Sequence, residues 1–449
     1  MDPLSPDLVA QRTWSDADTA SFEVVDVPFV TVGGGFGSLM VVDLLRASGL
    51  DVGSIAVLTR NHYPHESYQF LARNSQIGDR DRLRSDSSAM PDNPWGFPSF
   101  AMREAAKGDI GQAFRVFGEP LWAEFFTPIS GDVFAGAIAE AYRIGWGSMT
   151  RFGQVRLVRP RVGGGYFTLL TVSDGTTKRR VAFRSRYVHM APGYGGAKFL
   201  PDLQDYRQTH GDVVRVVNAY ENHEHVYLEA QRHPVTVVVR GSGIVASRIL
   251  QRLMNDREAG RSQTTVVHLF RNYPVERTDR PRPKVTRGFT QQPFNLAKGA
   301  FGGAIAERIV KTDDPEERVR LMRASAGTTT ASRREWFDQI ERGLQQGFYR
   351  QYVSEIADIT PNGDQIAVDV TADGQQYRID ADFIIDATGL YGGVRDQRIL
   401  ADLIDKYRET QAREPGRTKG MTLDMLRREV GFQRDDHATV LEIHEERIF

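Results

Sequence analysis

Two sets of small residues in this chain have the types and spacing to hold an anionic ligand on backbone. Gly33, Gly35 and Ser38 stand in the run GGGFGS, and Gly241, Gly243 and Ala246 stand in GSGIVA. In each set the first glycine permits a tight turn and the second lets a ligand phosphate reach the backbone. The small third residue lets the following helix pack closely on its strand. The N-terminus of that helix then presents N–H groups and its positive end to a pyrophosphate. The chemistry is dinucleotide binding; a pair of ordinary glycine-rich strand-to-helix turns is the alternative. The end of the next strand bears on which dinucleotide, since a carboxylate there binds a ribose 2′-hydroxyl and an Arg accommodates a 2′-phosphate. The second set leads to Arg271, followed by the basic run ERTDRPRPKVTR. That points to NADPH over NADH, with a solvated basic loop as the alternative.

Such turns need a strand before them and a helix and strand after them. Phe29–Val32 is a short apolar run, residues 38–47 carry helical apolar spacing, and residues 55–58 are apolar again. That is a βαβ unit. A β-meander follows over residues 155–188 and ends in APG. The order then recurs: PVTVVVRGSGIVASRILQRL, the strand TTVVHLF, a helix opening at Ser332 with Glu335 set for a capping box, and a second meander ending in DATG. Gly33 and Gly193 are 160 positions apart, and Gly241 and Gly389 are 148 apart. LTRNHYP and LFRNYP close the two second strands. The ordered set of matches reads as two similar α/β units, one inserted in the other.

The 449 residues are long enough for two or three domains, and 57 basic against 58 acidic residues leave a net charge of −1. That balance gives no global field for nucleic acid or an anionic membrane. No apolar run is long enough to cross a membrane, and the first residues lack a secretory apolar region, so the expectation is cytoplasmic. There are no cysteines. Thiolate metal sites, cysteine nucleophiles and dithiol redox chemistry are excluded, so any redox chemistry must be carried by a bound organic cofactor. His223-Glu224-His225 and His62-x-x-His65-Glu66 lack a third ligand at regular spacing, and no metal is expected.

The order of GGGFGS, APG, GSGIVA and DATG resembles the class B flavin-dependent monooxygenases, a group that includes the flavin-containing monooxygenases and the lysine/ornithine N-hydroxylases. The resemblance covers about residues 29–406. It implies an α/β fold of two Rossmann-like dinucleotide-binding domains, the NADPH domain inserted in the FAD domain, each with a β-meander. The boundaries would be a loose tail at 1–27, the FAD-binding domain at 28–205 and 380–449, and the NADPH-binding domain at 206–379. APG, with Gly193, would lie where the chain leaves the FAD domain, and DATG, with Thr388 and Gly389, where it returns. YQFLARNS is similar to a Tyr-x-x-Leu-x-x-Asn stretch of the flavin-containing monooxygenases. That similarity would put Asn74 beside the flavin, where an amide donates a hydrogen bond without titrating; a turn residue before Gly78 is the alternative.

The first unit ends its second strand in Thr59-Arg60, where an FAD ribose would meet a carboxylate. Arg60 is then a candidate diphosphate or adenine contact. Val216 stands where the family has a His four residues before an aromatic, here Tyr220. Trp95 and Phe97 are candidate walls of the flavin or substrate cavity, with ordinary core packing as the alternative, and residues 288–303 a candidate lid or substrate loop. The activity implied is FAD- and NADPH-dependent oxygenation, with O2, of a small-molecule nucleophile such as an amine. A flavin reductase without oxygen insertion and a non-catalytic cofactor-binding protein remain the alternatives, and homo-oligomerisation stays open.

Overall fold

The computed structural model describes residues 4–83, 97–114, 126–173, 175, 177–270, 284–286, 289–291, 308, 311–314, 316–318, 320–321, 334–354 and 356–411. Among these the chain divides into two compact units. One is built from residues up to Gln69, Phe134–Gly195 and the chain from Gly392; the other from Phe70–Val133 and Gly196–Tyr391.

Among the described residues the first unit has the strands β1 (Glu23–Asp26), β2 (Phe29–Val32), β3 (Ile55–Thr59), β4 (Thr150–Phe152), β5 (Gln154–Pro160), β6 (Tyr166–Ser173), β7 (Lys178–Ser185) and β8 (Tyr187–Met190). A parallel sheet runs β4-β3-β2-β8, and a second sheet runs β1-β7-β6-β5. Every residue of β2 and β3 is buried, as expected of parallel strands covered on both faces. Alternation assigns the faces. Phe29, Ile55 and Val57 pack with Leu39 and Val42 of helix Phe36–Ala47 and with Ala137 and Ala141 of helix Ser130–Ile144. Val30, Val32, Ala56 and Leu58 pack instead on Val158, Leu170, Val181 and Phe183 of the meander.

The second unit repeats this plan with β9 (Val216–Asn218), β10 (Thr236–Arg240), β11 (Thr265–Phe270), β12 (Lys284–Thr286), β13 (Phe289–Gln291), β14 (Tyr349–Val353), β15 (Ile356–Asn362), β16 (Gln365–Ala372), β17 (Gln375–Ala381) and β18 (Phe383–Asp386). Its parallel sheet runs β14-β11-β10-β18-β9 and its meander β15-β16-β17, with β12 and β13 a separate hairpin. Val237, Val239 and Ile385 face helix Ile244–Glu258 and helix Arg334–Gln345, while Val238, Val267 and Ile384 face Ile366, Val368 and Val370 of the meander. The glycine-turn strand is central in each sheet: β2 between β3 and β8, β10 between β11 and β18.

Three expected boundaries are corrected. β18 pairs in parallel with both β10 and β9, so DATG closes the second unit's own sheet, and the return to the first unit falls at Gly392 rather than 380. The chain first crosses to the second unit at Gln69–Phe70 and returns at Val133–Phe134, and the crossing expected at 205 falls at Gly195–Gly196. The segment 1–27 is no loose tail either. Trp14 is fully buried among Leu157, Phe167, Leu169 and Ala182, and its Nε1–H donates to the Leu8 carbonyl at 3.1 Å. β1 pairs with β7. The buried Arg159 donates from Nε to the Gln11 carbonyl (2.9 Å), from Nη2 to the Val9 carbonyl (2.8 Å) and from Nη1 to Asp402 (2.5 Å), which joins the N-terminal segment, β5 and helix Arg398–Gln411. Truncating Trp14 to Ala is expected to cost about 3–5 kcal/mol, the range for emptying a large buried aromatic site. Urea unfolding of the variant against the wild type measures it. No described helix is long and apolar enough to cross a membrane.

Candidate dinucleotide-binding turns

The two turns share their backbone hydrogen bonds position by position. Gly33 N–H donates to the Leu58 carbonyl at the end of β3, and Gly241 N–H to the Leu269 carbonyl in β11, both at 2.9 Å. Ala191 N–H donates to Val32 and Ala387 N–H to Arg240, both at 2.8 Å. Both first glycines need to be glycine, with φ at +101° for Gly33 and +130° for Gly241. A Cβ on Gly33 would stand 2.0 Å from the Ala191 carbonyl oxygen, and one on Gly241 would stand 2.5 Å from that of Ala387. Thus APG and DATG do equivalent work: each is the neighbouring strand's end, against which its own unit's turn is pressed.

The helix N-termini beyond these turns fit a pyrophosphate. Helix Phe36–Ala47 starts from Gly35 and helix Ile244–Glu258 from Gly243, each without a side-chain cap and without an acidic residue in its first turn. A Cβ on Gly35 would meet no protein atom within 4 Å, so the backbone there faces open space. First-turn N–H groups left without side-chain acceptors are what an anionic ligand satisfies.

The carbonyl of each first glycine is held by a side chain. In the first unit Ser38 Oγ–H donates to the Gly33 carbonyl at 2.7 Å. Its oxygen then accepts from Thr31 Oγ1 (2.9 Å), which in turn accepts from Nδ1–H of His189 on β8 (2.9 Å). In the second unit Ala246, buried against the sheet, has no hydroxyl. There His268 of β11 donates from Nε2 to the Gly241 carbonyl at 2.5 Å and accepts at Nδ1 from the Tyr349 hydroxyl at 2.8 Å. Burial holds both imidazoles neutral, with pKa values lowered to about 4. Unfolded histidines titrate near 6.5, so the unfolded chain takes up protons first as pH falls. The stability that these two residues contribute is full above about pH 6.5 and is lost as pH drops toward 4. Between pH 7 and pH 5 each is expected to remove about 2 kcal/mol, which chemical denaturation at the two pH values measures.

Asp386 is fully buried and accepts from Leu200 N–H (2.8 Å), Thr388 N–H (3.0 Å) and Thr388 Oγ1–H (2.6 Å). Burial raises its pKa, against the downward pull of these donors and of the nearby Arg240. Thr388 and Gly389 follow β18 in the second unit, where a Cβ on Gly241 would stand 3.4 Å from Thr388 N. Gly193 lies in the first unit with φ +79°, its carbonyl accepting from Gln397 Nε2 at 2.8 Å. Arg60 is exposed just past β3, while the preceding Thr59 packs its side chain on Gly34, where a Cβ would come within 2.4 Å of Thr59 Oγ1. Asn74 falls in the second unit, at the end of helix Glu66–Asn74, and its Nδ2–H donates to the Tyr220 carbonyl at 2.7 Å. The next turn is held by Arg248 of helix Ile244–Glu258, which donates to the Gln76 carbonyl from Nη2 (2.6 Å) and pairs with Asp81 (2.9 Å). Val216 is buried in β9. His223 has both nitrogens engaged, Nδ1–H on the Glu221 carbonyl (2.8 Å) and Nε2 accepting from Tyr227 (3.1 Å). Arg271, Trp95, the Phe97 side chain and most of the expected lid at 288–303 lie outside the described residues.

Sequence reading missed His268, His189 and Thr31. Their signal was present as single polar residues inside the otherwise apolar strand runs TVVHLF, YVHM and FVTV.

No family model and no curated protein matches the sequence. Among solved structures, the chain is similar to the ornithine hydroxylase PvdA from Pseudomonas aeruginosa, at 17% identity and a TM-score of 0.57, over 84% of this chain and 86% of that one. It is similar to the ornithine N-hydroxylase KtzI from Kutzneria sp. 744, in a structure with reduced FAD, NADP+ and L-ornithine, at 16% identity and a TM-score of 0.57, over 82% and 81%. A third is the FAD-bound cadaverine monooxygenase DfoA from Erwinia amylovora, at 15% identity and a TM-score of 0.56, over 82% and 79%. The chain has the fold of these flavoproteins: two Rossmann-type units, the second inserted in the first.

Proposed function

We propose that this protein is an FAD- and NADPH-dependent monooxygenase that oxygenates the amine of a small molecule. The observation that carries the reading is the duplicated turn: two uncapped helix N-termini behind glycines pressed on a neighbouring strand end, in a fold shared with amine hydroxylases. The first turn, with Gly33, Gly35, Ser38 and Gly193, takes FAD; the second, with Gly241, Gly243, Ala246, Thr388 and Gly389, takes NADPH, with Arg271 toward its 2′-phosphate. When bound, FAD would supply the redox and oxygen chemistry, with NADPH as the hydride source. The chain's own part is to bind and orient: backbone N–H groups hold the two pyrophosphates, and Ser38 and His268 hold the turns. Asn74 and Arg60 are proposed as cofactor contacts from the family resemblance.

The test is turnover of FAD-loaded protein with NADPH and O2 across a panel of ornithine, lysine and cadaverine, with hydroxylated amine and hydrogen peroxide both quantified. Hydroxylated product in proportion to NADPH consumed supports the reading. Hydrogen peroxide alone with every amine supports the reductase alternative instead.

A further inference from the structure

The first-glycine carbonyls are gripped by unlike devices in the two units. Ser38 does this from within its own helix, at the third position of its motif. Ala246 holds that position in the second unit and has nothing to donate. The donor comes instead from a neighbouring strand, as the imidazole of His268, which is fully buried in a strand otherwise made of apolar residues and Thr265.

We propose that His268 is the positioning residue of the second turn: its Nε2–H fixes the Gly241 carbonyl, and so aims the turn's N–H groups at the pyrophosphate of NADPH. The inference rests on the NADPH reading of that turn. A carbonyl oxygen only accepts, so Nε2 carries the proton, and at 2.5 Å the contact is close. The bare Nδ1 then accepts from the Tyr349 hydroxyl at 2.8 Å, and Tyr349 is itself buried in β14. The Gly241 carbonyl thereby sets the tautomer, and the Tyr349 hydroxyl, which can donate or accept, satisfies the other nitrogen. The peptide unit is planar and trans, so the N–H of Ser242 points opposite to the Gly241 carbonyl. Holding the carbonyl toward the sheet turns that N–H away from it. Gly241, at φ +130°, also lacks the Cβ that would restrict rotation of the peptide following it. No side chain of the motif itself does this work, so the second turn depends on a residue that the glycine pattern does not contain.

The experiment is titration of FAD-loaded protein with NADP+, comparing wild type, His268→Leu and His268→Gln. Leu keeps an apolar bulk and donates nothing; Gln carries an N–H at nearly the same reach. The expected result is a Kd for NADP+ raised on the order of tenfold or more in His268→Leu, with the Gly241 carbonyl left without its donor. His268→Gln is expected to restore affinity to within about threefold, with FAD binding unchanged in both. Equal NADP+ affinity in wild type and a folded His268→Leu would overturn the proposal. So would an equal loss of affinity in folded His268→Leu and His268→Gln. Wild type that takes FAD but no NADP+ would instead overturn the NADPH reading. NMR of isotope-labelled histidine in the wild-type holoprotein gives an answer that needs no variant: a neutral His268 protonated at Nε2 is expected, and protonation at Nδ1 overturns the assignment.

Discussion

Gly33→Ala is expected to yield a protein that purifies without FAD and binds it at least a hundredfold more weakly on titration. The added Cβ would lie 2.0 Å from the Ala191 carbonyl oxygen and 2.7 Å from its carbon, both backbone atoms that cannot swing aside. The residue would also sit at φ +101°, which costs a non-glycine residue roughly 1–3 kcal/mol before any clash is counted. The turn must therefore lift off the end of β8, carrying the N-terminus of helix Phe36–Ala47 with it. Each 1.4 kcal/mol is about tenfold in affinity, so strain and clash together reach the stated loss. Gly35→Ala separates ligand contact from folding. Its Cβ meets no protein atom within 4 Å, so thermal unfolding of the apoprotein is expected to stay as in the wild type. The methyl group would nevertheless occupy the space into which a pyrophosphate must come, and FAD affinity is expected to drop about tenfold or more. A Gly35→Ala protein that binds FAD as the wild type does would show that no phosphate approaches this turn.

Gly241→Ala is the counterpart in the second unit and is expected to leave FAD in place while abolishing its reduction by NADPH. Here the Cβ would stand 2.5 Å from the Ala387 carbonyl oxygen at φ +130°. The displaced turn would pull the Gly241 carbonyl from His268 and the helix N-terminus from its place beside DATG. Loss of at least a hundredfold in apparent NADPH affinity, with full FAD content, is the expected outcome of anaerobic titration. Together the two glycine variants assign one dinucleotide to each unit. Loss of FAD from Gly241→Ala, with Gly33→Ala unaffected, would reverse that assignment.

The glycine turns, the strands that carry them and the internal repeat were legible in the sequence because each is a local pattern. A positive-φ glycine, a four-residue apolar run and a helix with apolar spacing are all set by neighbours along the chain. Sheet membership was not legible. FIID before DATG is an apolar run that fits either sheet, and only its parallel pairing with β10 and β9 assigns it to the second unit. Trp14 stands alone in a polar segment, so nothing periodic announced that it fills a cavity among β5, β6 and β7. The small residue at the third position was expected for packing alone. Its hydroxyl in Ser38 proves to hold a carbonyl, and the corresponding donor of the second turn comes from His268, on a strand that follows the turn's helix. The hydrogen bond from the Asn74 amide to the Tyr220 carbonyl, across 146 positions of chain, left no mark in the short local similarity around Asn74. Contacts made across long stretches of chain leave little local trace.

The most direct test of the central claim is anaerobic mixing of the FAD-loaded wild-type protein with NADPH, followed through the visible absorbance of the flavin. Two dinucleotide turns serving one reaction predict stoichiometric FAD uptake, then complete bleaching by NADPH, and slower bleaching by NADH. A protein that takes up no FAD, or that holds FAD which NADPH leaves oxidised, would contradict the account.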